Sequence, residues 1–315
     1  MTRRAWYKWL FFGLLLTGFL YLLQKAFDFG FRHNLNLKSA YVTTHKISAD
    51  LLVLGPCEPL WMVSPRQITK KTGLSCYNLA ESHSDFADNY AHLRLYAQAN
   101  GWPRYLLLYV TPESFDPRYN TFHTYRFTPF CNSNEVRDAV ADCDADYYKL
   151  RYFPFLQYSY YAHQSVFLAL QGWKHYFTGR EKPYYPDGFE PPAKMVWDNH
   201  HDNLKKAYPK GYSFSWDSQR EKYFRAILND CAKGGTKVIL YESPILKDTR
   251  DYQLNREAFI ERIKVVAGNI PYLQFENPGW ERERKYFISP MVTTLEGSYL
   301  FSDTLAAALG KKIVK

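Results

Sequence analysis

The chain has 315 residues, with 40 lysines and arginines against 31 aspartates and glutamates, and a formal net charge of +9. Hydrophobic residues make up 46% of the chain, which is enough for a folded core and excludes an intrinsically disordered protein. A mean hydropathy of −0.42 excludes a protein that crosses a membrane many times, and five cysteines in so long a chain exclude a disulfide-built mini-protein.

An apolar segment, uncharged over residues 9–23, lies close to the N-terminus. Residues 9–27 are mostly apolar, and a stretch of roughly 20 such residues is long enough to cross a bilayer as a helix. Arg3, Arg4 and Lys8 precede it, so the positive-inside rule predicts that residues 1–8 are cytoplasmic. The alternative is a cleaved signal peptide, but the small residues that cleavage requires do not follow the apolar run. We therefore expect a retained signal anchor in a single-pass inner-membrane protein, with the main domain in the periplasm.

Three continuous apolar runs, at residues 49–55, 105–110 and 236–241, predict strands that are buried on both faces. Such strands are typical of a parallel sheet covered by helices. The other predicted elements are helices at 85–99, 221–233, 254–267 and 298–309 and a short strand at 272–275. This alternation predicts an α/β fold with a doubly wound, mostly parallel sheet over residues 45–315, joined to the anchor by a linker at 28–44.

The stretch at residues 116–212 does not fit this alternation. It is rich in tyrosine, phenylalanine, histidine and proline, and we predict an insertion near the carboxyl ends of the strands. Its most aromatic part, residues 147–161, predicts either insert core or a surface for sugars or for a membrane partner. The positive charge suits lipid head groups or an anionic envelope glycan. A nucleic-acid partner is not predicted, because no basic stripe with a recognisable module is present.

The first predicted strand ends in a turn that carries a cysteine. The turn reads Gly55-Pro56-Cys57, and a nucleophile that follows a strand and a glycine turn can meet backbone N–H donors. His83, in a later loop, is a candidate base for Cys57. The alternatives are that Cys57 is a small buried apolar residue or that it forms a disulfide with Cys76.

The order of the segments resembles the SGNH or GDSL hydrolase fold. The branch that it resembles contains membrane-anchored D-alanyl transfer proteins and polysaccharide O-acetylation proteins. The segments that carry the resemblance are Gly55-Pro56-Cys57, Tyr77-Asn78-Leu79-Ala80 followed by Ser82-His83-Ser84, Val110-Thr111-Pro112, Lys237-Val238-Ile239-Leu240 and residues 287–297. The resemblance implies that Gly55, Asn78 and Ser82 belong to the oxyanion and loop region beside the nucleophile.

The departures from the family pattern concern the residues that move protons. Cys57 stands where the family has serine, and His83 stands where it has a loop glycine. In the terminal motif, Ser289 and Val292 stand where the family has its aspartate and histidine. A Ser-His-Asp relay needs a base for the nucleophile and a carboxylate to orient that base. The resemblance therefore implies a degenerate SGNH-like protein, a pseudoenzyme with respect to the family's hydrolysis.

The anchor and the degenerate domain together predict an accessory or scaffold subunit of an envelope-glycan O-acylation system, beside a multi-span membrane acyltransferase. Two alternatives stay open. Cys57 could carry an acyl group as a thioester and pass it to a glycan hydroxyl. The chain could also be a structural subunit of another inner-membrane complex, in secretion or motility. No cofactor is predicted, since the chain contains no nucleotide-binding glycine signature.

Two further sets of residues are candidates for disulfide or metal chemistry. Cys131 and Cys143 lie in the insert and form a possible disulfide in an oxidising compartment. The cluster at 198–202 has no third ligand at a matching spacing. The aspartates at 142–146 are not followed by the glycine and glutamate of a calcium loop. We therefore predict no metal site.

Overall fold

The computed structural model describes residues 3–147, 152–153, 155–192, 197, 200–275 and 279–313. The chain divides into two compact units. Unit 1 consists of Met1–Lys46 and His123–Tyr184, and unit 2 consists of Ile47–Phe122 and Tyr185–Lys315. The N-terminal helix thus shares a unit with His123–Tyr184, which we call the central segment. The sheet belongs to the other unit.

Helices and strands alternate along unit 2 as the sequence predicts. The helices of the chain are α1 (Arg3–Arg32), α2 (Lys38–Thr44), α3 (Cys57–Met62), α4 (Pro65–Thr72), α5 (Phe86–Asn100), α6 (Arg137–Cys143), α7 (Leu156–Tyr160), α8 (Ala162–Phe177), α9 (His200–Ala207), α10 (Ser218–Lys233), α11 (Lys247–Arg250), α12 (Arg256–Ala267) and α13 (Leu295–Ile313). The strands are β1 (Leu51–Leu54), β2 (Cys76–Asn78), β3 (Tyr105–Tyr109), β4 (Lys237–Glu242), β5 (Tyr272–Gln274), β6 (Phe287–Ser289) and β7 (Val292–Thr293). Short 3-10 helices cover Pro112–Phe115, Thr124–Phe130, Trp280–Arg282 and Arg284–Tyr286.

Unit 2 is built on a five-stranded sheet in the order β2-β1-β3-β4-β5. All neighbouring strands are parallel, and Leu54 of β1 lies opposite Leu108 of β3, which in turn lies opposite Leu240 of β4. The carboxyl ends of the central strands therefore meet at one edge. The predicted α/β fold with a doubly wound parallel sheet is confirmed. In this strand order the connections reverse between β1 and β3, and open α/β sheets bind ligands at such a switch point.

The sheet is buried on both faces because its central strands are continuous apolar runs. Leu51 and Leu107 belong to a core that extends to Phe301 of α13, and each of these residues is fully buried. On the other face, α10 packs against β4 and against α5, with Phe224 and Phe86 in ring contact. Burial of one such leucine or phenylalanine side chain contributes roughly 2 kcal/mol.

Local capping explains why the predicted helices begin where they do. The side chain of Asp85 accepts hydrogen bonds from the backbone nitrogens of Ala87 and Asp88 at the start of α5. Asp217 accepts a bond from the backbone nitrogen of Arg220 at the start of α10 in the same way. Strand β2 and the antiparallel β6–β7 hairpin are too short to produce a readable apolar pattern, and the sequence did not predict them.

The segment at residues 28–44, which we expected to be a linker, is mostly helical. Helix α1 continues to Arg32 because its aromatic side chains find partners in unit 1, where Phe31 is fully buried. The carbonyl of Ala26 also accepts a hydrogen bond from Nε1 of Trp173. The insertion expected at residues 116–212 is wider than the segment that joins unit 1, which runs from His123 to Tyr184.

Helices α1 and α8 cross at two glycines. A Cβ atom on Gly172 would lie 1.7 Å from the carbonyl oxygen of Gly30, so no side chain fits there. Beside the crossing, Nδ2 of Asn34 donates a hydrogen bond to the carbonyl of Leu168 at 3.0 Å. Residues Arg4–Arg32 of α1 are long and apolar enough to cross a membrane.

Candidate functional site

The candidate site lies at the carboxyl end of β1, on the switch-point side of the sheet. Gly55 ends this strand with φ +149°, and a Cβ there would lie 2.6 Å from both Pro59 Cγ and Tyr109 Cβ. Only glycine tolerates both that backbone angle and that approach. The tight turn makes Cys57 the first residue of α3.

Cys57, Ser82 and His83 form a connected polar cluster. The hydroxyl of Ser82 lies 3.1 Å from Sγ of Cys57 and 2.8 Å from Nδ1 of His83. The direct distance from Sγ to Nδ1 is 3.9 Å, so the hydroxyl is the closer partner of each. The backbone N–H of His83 also donates to Sγ at 3.3 Å. The thiol is half-buried and the imidazole is exposed, so the cluster is open to a reactant.

Backbone contacts hold the loop of His83 against the β1 turn. The carbonyl of Gly55 accepts a bond from the hydroxyl of Ser84 at 2.9 Å and one from the backbone nitrogen of Glu81 at 3.1 Å. His83 itself has φ +58°, a left-handed conformation that favours glycine. Such strain at a non-glycine residue costs on the order of 1 kcal/mol and is found at functional sites.

Asn78, expected beside the nucleophile, has a structural role in this arrangement. Its Nδ2 donates to the carbonyls of Pro59 at 2.7 Å and Val63 at 3.0 Å, and its Oδ1 accepts from the backbone nitrogen of Ala80. Both amide hydrogens are therefore engaged with the end of α3 and are not available to an oxyanion. Of the loop residues that the resemblance implied, Gly55 shapes the turn and Ser82 contacts the thiol.

The terminal segment lies beside α3, the helix that Cys57 begins. Ser289 and Val292 are paired across the β6–β7 hairpin, and β7 packs against α3. The hydroxyl of Ser298 on α13 donates to the carbonyl of Trp61 and adds a second link between these segments. Val292 is buried and apolar, so this segment places no proton acceptor at that position.

Three glutamates lie at the same edge of the sheet, and sequence reasoning missed them. Glu113 and Glu242 are buried, and Glu58 is half-buried. Glu58 and Glu113 follow β1 and β3, and Glu242 is the last residue of β4. Oε1 of Glu242 pairs with Nη2 of Arg256 at 2.5 Å, and Oε1 of Glu113 accepts from Nε2 of Gln253 at 3.0 Å. The signal that could have found them is an acidic residue at or just after each apolar strand, since parallel carboxyl ends meet at one edge.

Burial raises the pKa of two of these carboxyl groups. Burial of its carboxyl group raises the pKa of Glu58 to about 7, and Oε2 of this residue has no hydrogen-bond partner among the residues that the structure describes. Burial, and then repulsion from Glu58, raise the pKa of Glu113 to about 8. The cause is desolvation, which penalises the charged form.

A small cavity lies behind the turn that carries Cys57. It has a volume of about 10 Å³, which is room for about one water molecule. Its lining includes Pro56, Tyr109, Ser114 and Asn120. A reactant larger than water would therefore have to approach Cys57 from the open side of the cluster.

In the structure no disulfide joins Cys131 to Cys143. Cys131 is buried at the end of a 3-10 helix, where Sγ donates to the carbonyl of Phe127 instead, and burial raises the pKa of its thiol. The alternative bridge between Cys57 and Cys76 is not formed either. Cys57 faces the loop of His83 rather than β2.

No group of three or more metal-ligating side chains occurs among the residues that the structure describes. The acidic and histidine cluster at 198–202 falls partly outside them, since Asp198 and Asn199 are not described. Residues 148–151 and 154 of the aromatic stretch also lie outside the described residues.

Neither the models of known protein families nor the curated proteins match this chain. What the cluster can do follows from its groups. A half-buried thiol joined through a hydroxyl to an imidazole can pass its proton along that chain, and the resulting thiolate is a strong nucleophile.

Proposed function

We propose that this chain is a membrane-anchored, extracytoplasmic acyl-transfer protein of the cell envelope, in which Cys57 carries the acyl group as a thioester. The observation that carries the proposal is the hydrogen-bonded cluster of Cys57, Ser82 and His83 at the switch point of the sheet. Its geometry supplies the nucleophile with a proton acceptor that the terminal segment does not offer.

In the proposed reaction, the thiol proton of Cys57 passes through the hydroxyl of Ser82 to Nδ1 of His83. The sulfur attacks the carbonyl carbon of an acyl donor, so a carbon–sulfur bond forms. The bond to the leaving group breaks, and that group takes the electron pair and the proton from His83. An acceptor hydroxyl then gives its proton to His83 and attacks the thioester, which releases the sulfur with its electron pair. Proton return from His83 restores the thiol.

The path of α1 supports a retained anchor. The helix runs from its exposed apolar part to Arg32 without a break. Its last turns are packed in unit 1, where Phe31 is buried and the carbonyl of Ala26 accepts a hydrogen bond from Nε1 of Trp173. Removal of the apolar segment as a signal peptide would cut a continuous helix just before its packed part. With Arg3 and Arg4 at its start, the proposed orientation puts unit 2 outside the cytoplasm.

Three features support a relation to the SGNH-like branch that the sequence resembles. Cys57 follows β1 at the position of the family's nucleophile. His83, where the family has glycine, has a left-handed backbone that glycine favours. The terminal segment with Val292 lies beside α3, where the family's base would be needed. By this relation we propose an envelope-glycan hydroxyl as the acceptor and a multi-span membrane acyltransferase as the partner.

A second candidate function is that of a non-catalytic accessory subunit in the same O-acylation system. The observation that favours it is the terminal segment, where Val292 and Ser289 provide neither an imidazole nor a carboxylate. In that case the cluster around Cys57 would be a remnant, and the partner enzyme would carry out the transfer.

The two candidates differ in whether Cys57 becomes acylated. The full chain in mild detergent is incubated with p-nitrophenyl acetate, and intact-protein mass spectrometry counts the acetyl groups gained. We expect one acetyl group on the native chain and on Cys143→Ala, which removes another half-buried thiol. We expect none on Cys57→Ala and slower acetylation of His83→Ala. No adduct on the native chain, or an equal adduct on Cys57→Ala, would contradict acyl transfer and leave the accessory role.

A further inference from the structure

The surroundings of α1 change abruptly just after its apolar part. Most residues from Arg4 to Leu22 are exposed along the helix, and burial begins within the next turns. Oε1 of Gln24 accepts a hydrogen bond from the backbone nitrogen of Phe155 at 2.9 Å, and the carbonyl of Ala26 accepts one from Nε1 of Trp173. At a rise of 1.5 Å per residue, these contacts lie only about 3 to 6 Å beyond Leu22 along the helix axis.

Ring contacts also attach the central segment to α1 near Phe27. Phe27 packs against Phe155 with ring centroids 5.1 Å apart and against Tyr158 at 5.4 Å. The hydroxyl of Tyr158 also donates to Asp28 at 2.7 Å. The central segment is therefore attached to the anchor where the apolar part ends.

Several large side chains of this segment are exposed, and we name six of them the aromatic collar. They are Tyr152, Phe153, Tyr160, Phe167, Leu170 and Phe177. The exposed fractions of Phe153, Phe167 and Phe177 are 65%, 62% and 76%. Soluble proteins expose single apolar side chains freely, but a concentration of them marks an interaction surface.

On α8 the collar occupies the side opposite α1. Phe167, Leu170 and Phe177 fall on one side of the helix by its periodicity, whereas Ala169 and Gly172 fall on the side that contacts α1. Lys174 lies on the exposed side with them. This face combines apolar rings with a cation, as helices at a membrane surface do.

We propose that the aromatic collar lies in the head-group region of the bilayer from which α1 emerges, so that the central segment holds the chain on phospholipid together with α1. Phe155 and Trp173, which neighbour Phe153 and Phe177, contact α1 within two helical turns of Leu22. These two collar residues are therefore within reach of the interface. Exposed Lys25 and Lys174 complement phosphate groups there. Aromatic side chains are enriched at that depth. The inference rests on the anchor of the proposed function, and it is independent of the chemistry at Cys57.

Site-specific photocrosslinking of the full chain tests the proposal. The chain is reconstituted in vesicles of phosphatidylethanolamine with a minority of phosphatidylglycerol, and p-benzoylphenylalanine replaces one residue at a time. The collar variants are Phe153→p-benzoylphenylalanine and Phe177→p-benzoylphenylalanine, and Leu15 in α1 is replaced to report on the anchor. Val265, an exposed residue of unit 2, is the control. After irradiation, mass spectrometry detects lipid adducts.

We expect lipid adducts at positions 15, 153 and 177, with a several-fold lower yield at 265. Adducts at Leu15 without any at Phe153 or Phe177 would overturn the collar and leave the anchor intact. No adduct at Leu15 would overturn the anchor itself. A yield at Val265 equal to that at the collar would overturn the assignment of the collar as the contact surface. In cells, crosslinks from positions 153 and 177 to a protein instead of lipid would overturn it in favour of a protein partner.

Discussion

Sγ of Cys57 and Nδ1 of His83 lie 3.9 Å apart, and the hydroxyl of Ser82 is within hydrogen-bond distance of both. If this cluster removes the thiol proton, His83→Ala should lower the rate at which iodoacetamide alkylates Cys57 at neutral pH by about tenfold or more. Ser82→Ala should have a smaller effect, because the imidazole could still approach the sulfur directly. Quenched alkylation followed by peptide mass spectrometry gives the rate for Cys57, with the half-buried Cys143 as an internal reference. Equal rates in the native chain and His83→Ala would contradict the role of the imidazole.

The left-handed backbone of His83 predicts a conflict between stability and reactivity at one residue. His83→Gly should raise the free energy of unfolding of unit 2 by on the order of 1 kcal/mol, because glycine adopts φ +58° without strain. The same change should slow alkylation of Cys57. Chemical denaturation of the full chain in detergent measures the first effect. His83→Ala is the matched control, since it removes the imidazole and keeps the strained backbone, and it should not be stabilised.

The raised pKa of Glu113 predicts how stability changes with pH. Burial raises this pKa from 4.5 to about 8, so in that interval the folded chain holds a proton that the unfolded chain has lost. The stabilisation is therefore fully present below pH 4.5 and is lost as the pH rises towards 8. Glu113→Gln, which keeps an acceptor for Gln253, should reduce the loss of stability over this range by on the order of 2 kcal/mol.

Denaturation midpoints at several pH values between these limits test that expectation. The matched control is Glu261→Gln, which changes an exposed side chain of α12 and should leave the pH dependence as it is in the native chain. The same slope in Glu113→Gln and in the native chain would show that Glu113 is not the group that holds the proton.

The glycine crossing of α1 and α8 predicts a steric effect within unit 1. Gly172→Ala would place a Cβ against the backbone carbonyl of Gly30, which cannot move aside as a flexible side chain could. We expect it to destabilise the packing of the central segment on α1 by about 2 kcal/mol or more. Limited proteolysis of the full chain in detergent should show faster cleavage between residues 123 and 184. Gly18→Ala is the control, because no atom of the described residues lies within 4 Å of a Cβ at that position. Cleavage as slow in Gly172→Ala as in this control would contradict the prediction.

Much of the fold could be predicted from the sequence because the signals are local. The apolar runs that became β1, β3 and β4 need no knowledge of distant residues, since a strand buried on both faces has few polar positions. The apolar start of α1 is readable for the same reason. The continuation of α1 to Arg32 was not, because only packing against residues such as Trp173 makes that part a helix in the folded unit.

The candidate site, like the fold, could be predicted only in part from the sequence. A cysteine after a strand and a glycine turn is visible along the chain, and the loop with Ser82 and His83 could be proposed as its neighbour. Asn78 shows the limit of such reasoning, because its residue type suits an oxyanion donor and only its contacts to Pro59 and Val63 reveal a structural role.

By itself, the amino-acid sequence determined the apolar N-terminal helix, the class of sheet and the strand end at which Cys57 would be found, because these depend on neighbours along the chain. Only the tertiary structure decided that the Ser82 hydroxyl lies between thiol and imidazole, that Glu113 is buried deeply enough to keep its proton, and that the central segment is attached to α1 at the end of its apolar part. Hydrogen-bond distances, desolvation and helix crossings depend on groups that are far apart in sequence, and folding alone brings those groups together.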